Sequence, residues 1–401
     1  MEITTTAPHP AVASVAEAAG RIREWGEARD WRGWDPYDAL NSPLAPVLTL
    51  GTPFGRRVLI QAVKRSSLNL RPLLRIAPAW NAKAIGLVAS AYVHLAAAGD
   101  ASARQEAARW LDWLDAARCG AGRHDGWGYH FDVQTRFFFY PRNSPNTIAT
   151  AFVAGAFLDA YELLGEEARL ETAVAAADLL VAEMLVRDGE RRFFRYVPAD
   201  TKLIHNANLL ACAVLARAAG PSGRSDLAEL VGSALRATLD AQRPDGSWPY
   251  SDWQGNAWVD NFHTGYVLEA LAACVDLAPD AGERLDRGLA FWERELFLPD
   301  GTPKYFPDRV EPLDAHCYAQ AIETWVAVAG RHAGAVAQAE RVAHLLIESL
   351  LEPGGYVAFQ RRGRRTNRVP FVRWTTAPSF RALARLLLQR RSVETEHARL
   401  D

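Results

Sequence analysis

The feature that most constrains the fold of this chain is a phrase that recurs about every 60 residues. Each copy contains an aromatic turn, then polar residues able to cap a helix, then an apolar segment with helical spacing. The apolar segments begin after Asn81, Asn146, Asn206, His263, His316 and Thr376. Because two helices and two turns fill one such period, six copies predict six helical hairpins.

More amphipathic helices are predicted between the apolar segments, over 103–117, 167–185, 225–242 and 281–296. Their polar faces suit an outer layer, whereas the Ala-rich, nearly uncharged segments suit an inner one. Hairpins of this kind close into an all-α (α/α)6 toroid, in which the inner helices start at one rim and the aromatic turns surround a central cavity. We expect the toroid over 76–390, an N-terminal segment over 1–75 that packs on the ring, and a disordered tail over 391–401.

Composition excludes several classes of protein. The 401 residues are 49% hydrophobic and carry a net charge of −2, which is typical of a soluble globular protein and favours neither nucleic acid nor a membrane surface as a partner. The four cysteines lie far apart, which favours a reducing compartment. Residues 1–10 lack a basic and an apolar leader region, and no run of 18 residues is apolar throughout. We expect a cytoplasmic protein without a membrane span; its oligomeric state is left open.

Several motifs resemble families built on α/α toroids. The pattern Gln242-x-x-x-Gly246-x-Trp248 is similar to the glutamine-tryptophan repeat of squalene and hopene cyclases. The stretch Asp260-x-Phe262-His263-Thr264-x-Tyr266 resembles the segment that carries the zinc-binding histidine of protein prenyltransferase β-subunits, and also a region of glucuronyl C5-epimerases. These resemblances imply a toroid over roughly residues 75 to 390, the range that the repeats cover.

A further resemblance concerns the start of the chain. The stretch from Trp34 to Ser42 resembles uncharacterised toroid proteins that accompany bacterial surface-polysaccharide biosynthesis. The chain also departs from the isoprenoid families, because it has no Asp-x-Asp-Asp run to protonate an alkene and no Asp-x-Cys partner for a zinc-binding histidine. The departures weaken isoprenoid chemistry as an interpretation.

Two aspartate and histidine pairs are the candidate catalytic residues. Asp260 and His263 stand at the predicted start of one inner helix, and Asp314 and His316 stand at the start of the next. A carboxylate and an imidazole can act as acid and base, with Tyr129 as a further proton donor. The alternatives are a zinc site that includes Cys317 and a purely structural role in which the aspartates cap helices. Capping alone does not explain two histidines in matching positions, so we predict acid-base chemistry without metal or cofactor.

A mixture of amides, flat aromatic rings and cations near the turns suits a sugar, which offers an apolar face and a belt of hydroxyl groups. Arginines near the first and last hairpins favour an anionic substrate. The predicted substrate-binding residues are Trp34, Asp35, Tyr37, Asp38, Asn41, Arg71, Asn81, Lys83, Asn146, Tyr196, Asn206, Asn208, Trp248, Trp258, Arg373 and Trp374. For the asparagines, and for the loop from Trp31 to Asn41, a structural role is an equally good explanation.

The first functional hypothesis is a carbohydrate-active enzyme that epimerises, eliminates from or hydrolyses an acidic glycan or its lipid-linked precursor. In it, His263 or His316 removes a proton next to a carboxylate that Arg71 or Arg373 neutralises, and Tyr129 or Asp260 returns the proton. The second hypothesis is an isoprenoid cyclase or transferase with an aromatic cavity and a bound diphosphate. The third is a glycan-binding scaffold without catalytic activity. The substrate and the reaction type do not follow from the sequence.

Overall fold

The fold is known from a computed structural model that describes residues 13–120, 124–135 and 139–400, with backbone alone for 396–400. The helices are α1 (Val15–Glu27), α2 (Ala45–Leu48), α3 (Pro53–Arg65), α4 (Ala82–Ala97), α5 (Ala101–Ala116), α6 (Thr147–Leu164), α7 (Glu167–Leu179), α8 (His205–Ser222), α9 (Ser225–Leu239), α10 (Asn261–Ala272), α11 (Ala281–Leu296), α12 (Ala315–Ala327), α13 (Ala335–Leu350) and α14 (Thr376–Leu400). Short antiparallel strands lie between them: β1 (Val133–Gln134) with β2 (Phe139–Tyr140), β3 (Leu185–Asp188) with β4 (Arg191–Phe194), and β5 (Leu313–Asp314), β6 (Gln360–Arg362) and β7 (Arg365–Asn367) in one sheet.

The helices form two concentric rings. The inner ring consists of α4, α6, α8, α10, α12 and α14, each packed on the next, and α14 closes it by packing on α4. The outer ring consists of α5, α7, α9, α11 and α13, with α1 beside α13 and α14. The predicted (α/α)6 toroid is therefore confirmed, and every inner helix starts at the same rim.

Inner and outer helices differ in burial as the sequence predicts. Helix α4 is buried on all sides over its first three turns, and α6 is buried over most of its length. By length and composition α6 is the one described helix that could cross a membrane, but 67% of it is buried inside the ring, as an inner helix requires. Outer helices such as α11 bury one apolar stripe, which includes Leu285, Leu289 and Trp292.

Tryptophans of the aromatic turns close the ends of outer helices. The Trp127 indole N–H donates to the carbonyl oxygen of Leu114 at 2.7 Å, near the end of α5, and Trp248 donates to Thr238 at 2.9 Å, near the end of α9. The last carbonyl groups of a helix have no partner within the helix, so a buried indole donor stabilises them. These two tryptophans fix the turns against the outer layer.

Both chain ends depart from the predicted boundaries. Helix α1 belongs to the outer ring and begins with a capping box between Ser14 and Glu17, so the toroid includes residues of the segment expected over 1–75. Helix α14 continues to Leu400, which corrects the expected disorder over 391–400: Arg390 pairs with Glu340, and Arg391 contacts the Ala98 carbonyl oxygen. The predictions for residues 1–10 and for Asp401 lie outside the described residues.

Candidate active site

A cavity of about 540 Å³ opens at the rim where the inner helices begin. Its wall contains the first turns of α4, α8, α10 and α12 and the segment before α14, and residues of the N-terminal segment cover one side. The residues used below that line it are Tyr37, Lys64, Lys83, Tyr129, Tyr196, Asp200, Asn206, Tyr250, Trp258, Asp260, His263, Tyr266, His316, Arg373 and Trp374.

Asp260 and His263 form a hydrogen-bonded pair on this wall. Asp260 is the N-cap of α10, and one carboxylate oxygen accepts a hydrogen bond from the His263 backbone N–H at 2.9 Å. The other oxygen lies 2.7 Å from His263 Nδ1. Since the ionised carboxylate only accepts hydrogen bonds, Nδ1 carries the proton and Nε2 is the basic nitrogen. The imidazole is about a quarter exposed, so the pair has the geometry of a general base that is open to the cavity.

His316 is held differently from His263. Its Nδ1 donates to the carbonyl oxygen of Trp374 at 2.9 Å, and its Nε2 accepts the hydroxyl proton of Tyr266 at 2.7 Å. Burial lowers the pKa of His316 well below its ordinary value, so the ring is neutral. Because the Nε2 lone pair is occupied by Tyr266, His316 reaches a substrate proton only through that phenol.

Asp314 is a cap rather than a residue of the cavity wall. One of its oxygens accepts the His316 backbone N–H at 2.8 Å at the start of α12, and the other accepts Gln360 at 2.5 Å from strand β6. Burial raises the pKa of Asp314 to about 6. Both oxygens are engaged and the residue does not line the cavity, so its expected catalytic contact with substrate is corrected to a structural role.

Aromatic rings provide a flat surface beside His263. Trp258 stacks on Tyr250 with ring centroids 4.8 Å apart and an interplanar angle of 9°, and the His263 ring is inclined at 62° to Tyr250 with centroids 4.6 Å apart. Trp258 is 40% exposed, so its outer face is free for contact. On another side of the cavity, the hydroxyl groups of Tyr129 and Tyr196 lie 2.8 Å apart. Burial raises the pKa of both phenols, which therefore act as hydrogen-bond donors.

Asp35, Asp38 and Arg71 form a buried network behind the wall. Asp35 accepts two hydrogen bonds from the Arg373 guanidinium, at 2.5 and 2.8 Å. Asp38 accepts one from Arg71 at 2.8 Å, and Arg71 also donates to the backbone carbonyl oxygen of Asp35. The expected substrate contacts of Asp35, Asp38 and Arg71 are corrected, because these groups are buried and bond to one another and to Arg373 behind the wall. Arg373 lines the cavity, but Asp35 neutralises its charge.

The loop between Trp34 and Asn41 contributes one side chain to the wall. Trp34 donates to the Ile76 carbonyl oxygen at 3.0 Å and Asn41 donates to that of His130 at 3.2 Å, and neither lines the cavity, which corrects their prediction. Tyr37 does line it, and its hydroxyl oxygen lies 2.5 Å from the Lys64 ammonium. Tyr37 of the loop and Lys64 of α3 thus cover the rim together.

The predicted asparagines separate into two groups. Asn81 and Asn146 cap α4 and α6, and Asn208 bonds the Phe194 N–H, the Ala234 carbonyl and the Thr238 hydroxyl. These three, and the buried Trp248, do not line the cavity, so their expected substrate contacts are corrected. Asn206 does line it. Its buried side-chain oxygen has no hydrogen-bond partner among the described residues, so it is available to accept a hydrogen bond from a bound group.

Sequence reasoning missed several residues of the wall, chiefly Tyr266, Tyr250, Asp200 and Lys64. A signal existed for Tyr266, because it stands three residues after His263 and therefore on the same face of α10. Lys64 stands in a stretch that also contains Arg56, Arg57 and Arg65, and the sequence does not show which of these basic residues reaches the cavity. For Asp200, whose carboxylate accepts the Lys202 N–H at 3.2 Å, the sequence holds no signal.

Comparisons with known proteins support the fold. No family model matches the chain, and no curated protein matches it. A sugar epimerase from a ruminal bacterium is 12% identical over 94% of this chain and 98% of its own, with a TM-score of 0.64. A GH76 α-mannanase from Bacteroides thetaiotaomicron is 10% identical over 80% and 90%, with a TM-score of 0.63. An unsaturated glucuronyl hydrolase specific for heparin is 14% identical over 79% and 86%, with a TM-score of 0.57. These likenesses establish the toroid fold.

Proposed function

We propose that this chain is a carbohydrate-active enzyme that moves a proton at a sugar carbon next to a carbonyl group, as an epimerase or isomerase does. The observation that carries the proposal is the Asp260–His263 pair, whose basic Nε2 adjoins the cavity beside the stacked rings of Tyr250 and Trp258. A pyranose packs its apolar face against such rings. The pair then removes a proton from the bound sugar.

Proton transfer fits the wall better than glycosidic hydrolysis does. Most glycoside hydrolases need two carboxyl groups that face the scissile bond. Among the described lining residues the carboxylates are Asp200 and Asp260. His263 engages both oxygens of Asp260, whereas Lys202 bonds one oxygen of Asp200 through its backbone N–H and its ammonium group. At Asp260 the base that a substrate meets is therefore an imidazole, and Tyr266, one helical turn further along α10, is a proton donor on the same face.

Electrostatics favour a substrate that is acidic or becomes anionic during the reaction. The inner helices begin at the cavity, so the positive ends of their dipoles point toward it. Lys64 adds a cationic group to the same wall. Removal of a proton next to a carbonyl group places negative charge on oxygen, which these groups stabilise. The fold shared with a sugar epimerase and a glucuronyl hydrolase supports sugars or uronates as the substrate class.

The isoprenoid alternative has less support, because a polyisoprene pocket needs a dry hydrocarbon lining. Here Asn206, Asp200 and the Asp260–His263 pair place polar groups on the wall. The described residues contain no group of three or more His, Cys, Asp or Glu side chains placed to hold a metal ion. A role in surface-polysaccharide biosynthesis, a lipid-linked substrate and a cytoplasmic location stay predictions from the sequence.

The test is exchange of carbon-bound hydrogen in D₂O. The protein is incubated with reducing hexoses, disaccharides and uronates, and deuterium at the carbon next to the carbonyl group is measured by NMR. We expect exchange with the wild type, and a loss of about 10²- to 10⁴-fold in His263→Gln with little change in melting temperature. His344→Gln, on the exposed face of α13, is the matched control and keeps full exchange. Full exchange in His263→Gln would refute the assigned base.

A further inference from the structure

Lysine is rare in this chain, and one of its few lysines, Lys83, lies in the cavity wall. Only four of its 45 basic residues are lysines, namely Lys64, Lys83, Lys202 and Lys304. Arginine therefore supplies the positive charge almost everywhere else. An arginine stays protonated and cannot act as a nucleophile, whereas a lysine amine can. Lys83 is a buried lysine in the cavity wall, where its amine can meet a bound substrate.

Lys83 lies in the first turn of α4, and 3% of its surface is exposed. Its nitrogen lies 4.2 Å from the ring centroid of Phe152, 5.3 Å from that of Tyr266 and 3.4 Å from the Tyr266 hydroxyl oxygen. Within the described chain, no carboxylate lies within ion-pairing distance of this nitrogen. Burial, and then the charge of Arg373, lowers the pKa of Lys83 well below its ordinary value. A desolvated lysine beside another cation is a reactive amine.

The neighbours of Lys83 can move protons. The Tyr266 hydroxyl group lies between the Lys83 nitrogen and Nε2 of His316, at 3.4 and 2.7 Å. His263, three residues before Tyr266 on α10, stands on the same face of that helix. A substrate carbon bonded to Lys83 would therefore be next to a phenol that donates a proton, and its neighbouring carbon would be within reach of a base.

We propose that Lys83 is a catalytic nucleophile that forms an imine with the aldehyde carbon of an open-chain reducing sugar. The inference rests on the proposed function and names its substrate class more closely. The lone pair of Nζ attacks the carbonyl carbon, and the nitrogen proton passes to the new alkoxide through Tyr266 and His316. Protonation of the resulting hydroxyl group releases water and leaves a protonated imine, so the balance is amine plus aldehyde plus one proton to iminium plus water.

The remaining steps balance without an oxidant or a reductant. His263 removes the proton from the carbon next to the iminium carbon, and the electron pair of that C–H bond moves toward the positively charged nitrogen to give an enamine. Return of a proton to either face restores the iminium ion. Water then attacks the iminium carbon and releases the sugar and the free Lys83 amine. The covalent cation lowers the energy of the carbanionic intermediate more than a hydrogen bond to a carbonyl oxygen does.

The direct test is reductive trapping. The wild-type protein is treated with D-glyceraldehyde and sodium cyanoborohydride near neutral pH, and the adduct is located by peptide mass spectrometry. We expect an adduct on Lys83 at least tenfold more abundant than on Lys64, Lys202 or Lys304, and its loss when the protein is denatured before treatment. The variant Lys304→Arg keeps the adduct. The proposal is overturned if Lys83 carries no adduct, or if the four lysines are labelled equally. Both outcomes are measured on the wild-type protein, so the test does not depend on the folding of a variant.

A second measurement separates a nucleophile from a simple cation. Lys83→Arg keeps the charge and removes the nucleophile, so we expect it to lose at least 10²-fold of the deuterium exchange, as Lys83→Met does. Exchange within tenfold of the wild type in Lys83→Arg shows that charge alone suffices and overturns the imine. Exchange by the wild type without a trapped adduct overturns the imine and leaves the proposed function standing, whereas an adduct without exchange of any sugar counts against the proposed function.

Discussion

The buried pair between Asp35 and Arg373 allows a sharp test of how the N-terminal segment supports the cavity. The two side chains are 1% and 5% exposed and are joined by two hydrogen bonds of 2.5 and 2.8 Å. Asp35→Asn keeps the shape of the residue but removes its charge. The guanidinium of Arg373 then stays buried without a counter-charge, on the same wall as Lys83. Loss of one partner from such a pair costs about 3–5 kcal/mol of the free energy of unfolding.

The assay is urea unfolding of the wild type, Asp35→Asn, Arg373→Met and the double variant. We expect the double variant to be less destabilised than Asp35→Asn, because the apolar methionine leaves no buried charge. The matched control is Asp30→Asn, whose carboxylate pairs with Arg109 at the surface, where both groups are more than a third exposed. This exposed pair contributes less than about 1 kcal/mol.

The pH dependence has a definite sign. The charge of Arg373 keeps the pKa of Asp35 below its ordinary value in spite of burial. The stabilisation is therefore complete above the unfolded pKa of about 3.9 and is lost as the pH falls through the lower folded value. Suppose instead that Asp35→Asn lowers the free energy of unfolding by less than about 1 kcal/mol and abolishes deuterium exchange. Asp35 would then act on substrate, as the sequence suggested, and the structural explanation would be refuted.

Two further predictions concern buried side chains. Burial lowers the pKa of His205 to about 3. Below the unfolded pKa of about 6.5 only the unfolded state gains a proton, so at pH 5 this residue lowers the free energy of unfolding by about 2 kcal/mol. We expect His205→Gln to remove that part of the pH dependence, as measured by urea titrations. Trp258→Ala raises KM up to about tenfold at an unchanged melting temperature, whereas the buried Trp248→Ala costs about 3–5 kcal/mol of stability. The reverse pattern for the two tryptophans would show that their assignments are exchanged.

The toroid can be predicted from the sequence because the pattern of apolar and polar residues that specifies it lies within each helix. Inner helix α4 is buried on nearly all sides and outer helix α11 has one apolar stripe, and the repetition of such pairs along the chain predicts six hairpins. The place of α1 could not be predicted in this way. Its partners α13 and α14 lie more than 300 residues further along the chain, and a single amphipathic helix does not reveal which surface it covers.

Helical phase decides which polar residues reach the cavity. Asn206 and Asn208 are two positions apart, so their side chains point about 200° apart around α8. Asn206 lines the cavity, while Asn208 bonds Thr238 and the Ala234 carbonyl on the outer helix α9. The sequence identified both as polar residues at a helix start. From the sequence, this helix is predicted to start after Asn206, two residues later than in the structure, and both side chains are expected to contact substrate.

The same phase argument explains why two similar motifs have different chemistry. His263 is the third residue after its capping aspartate, where the backbone N–H and the imidazole both reach the carboxylate. His316 is only the second residue after Asp314, so its ring is turned by about 100° around the helix. It meets the Trp374 carbonyl and Tyr266, which come from other hairpins. One residue of spacing therefore separates an imidazole that is open to the cavity from one whose Nε2 is covered by a phenol, and the second arrangement depends on contacts that no local motif contains.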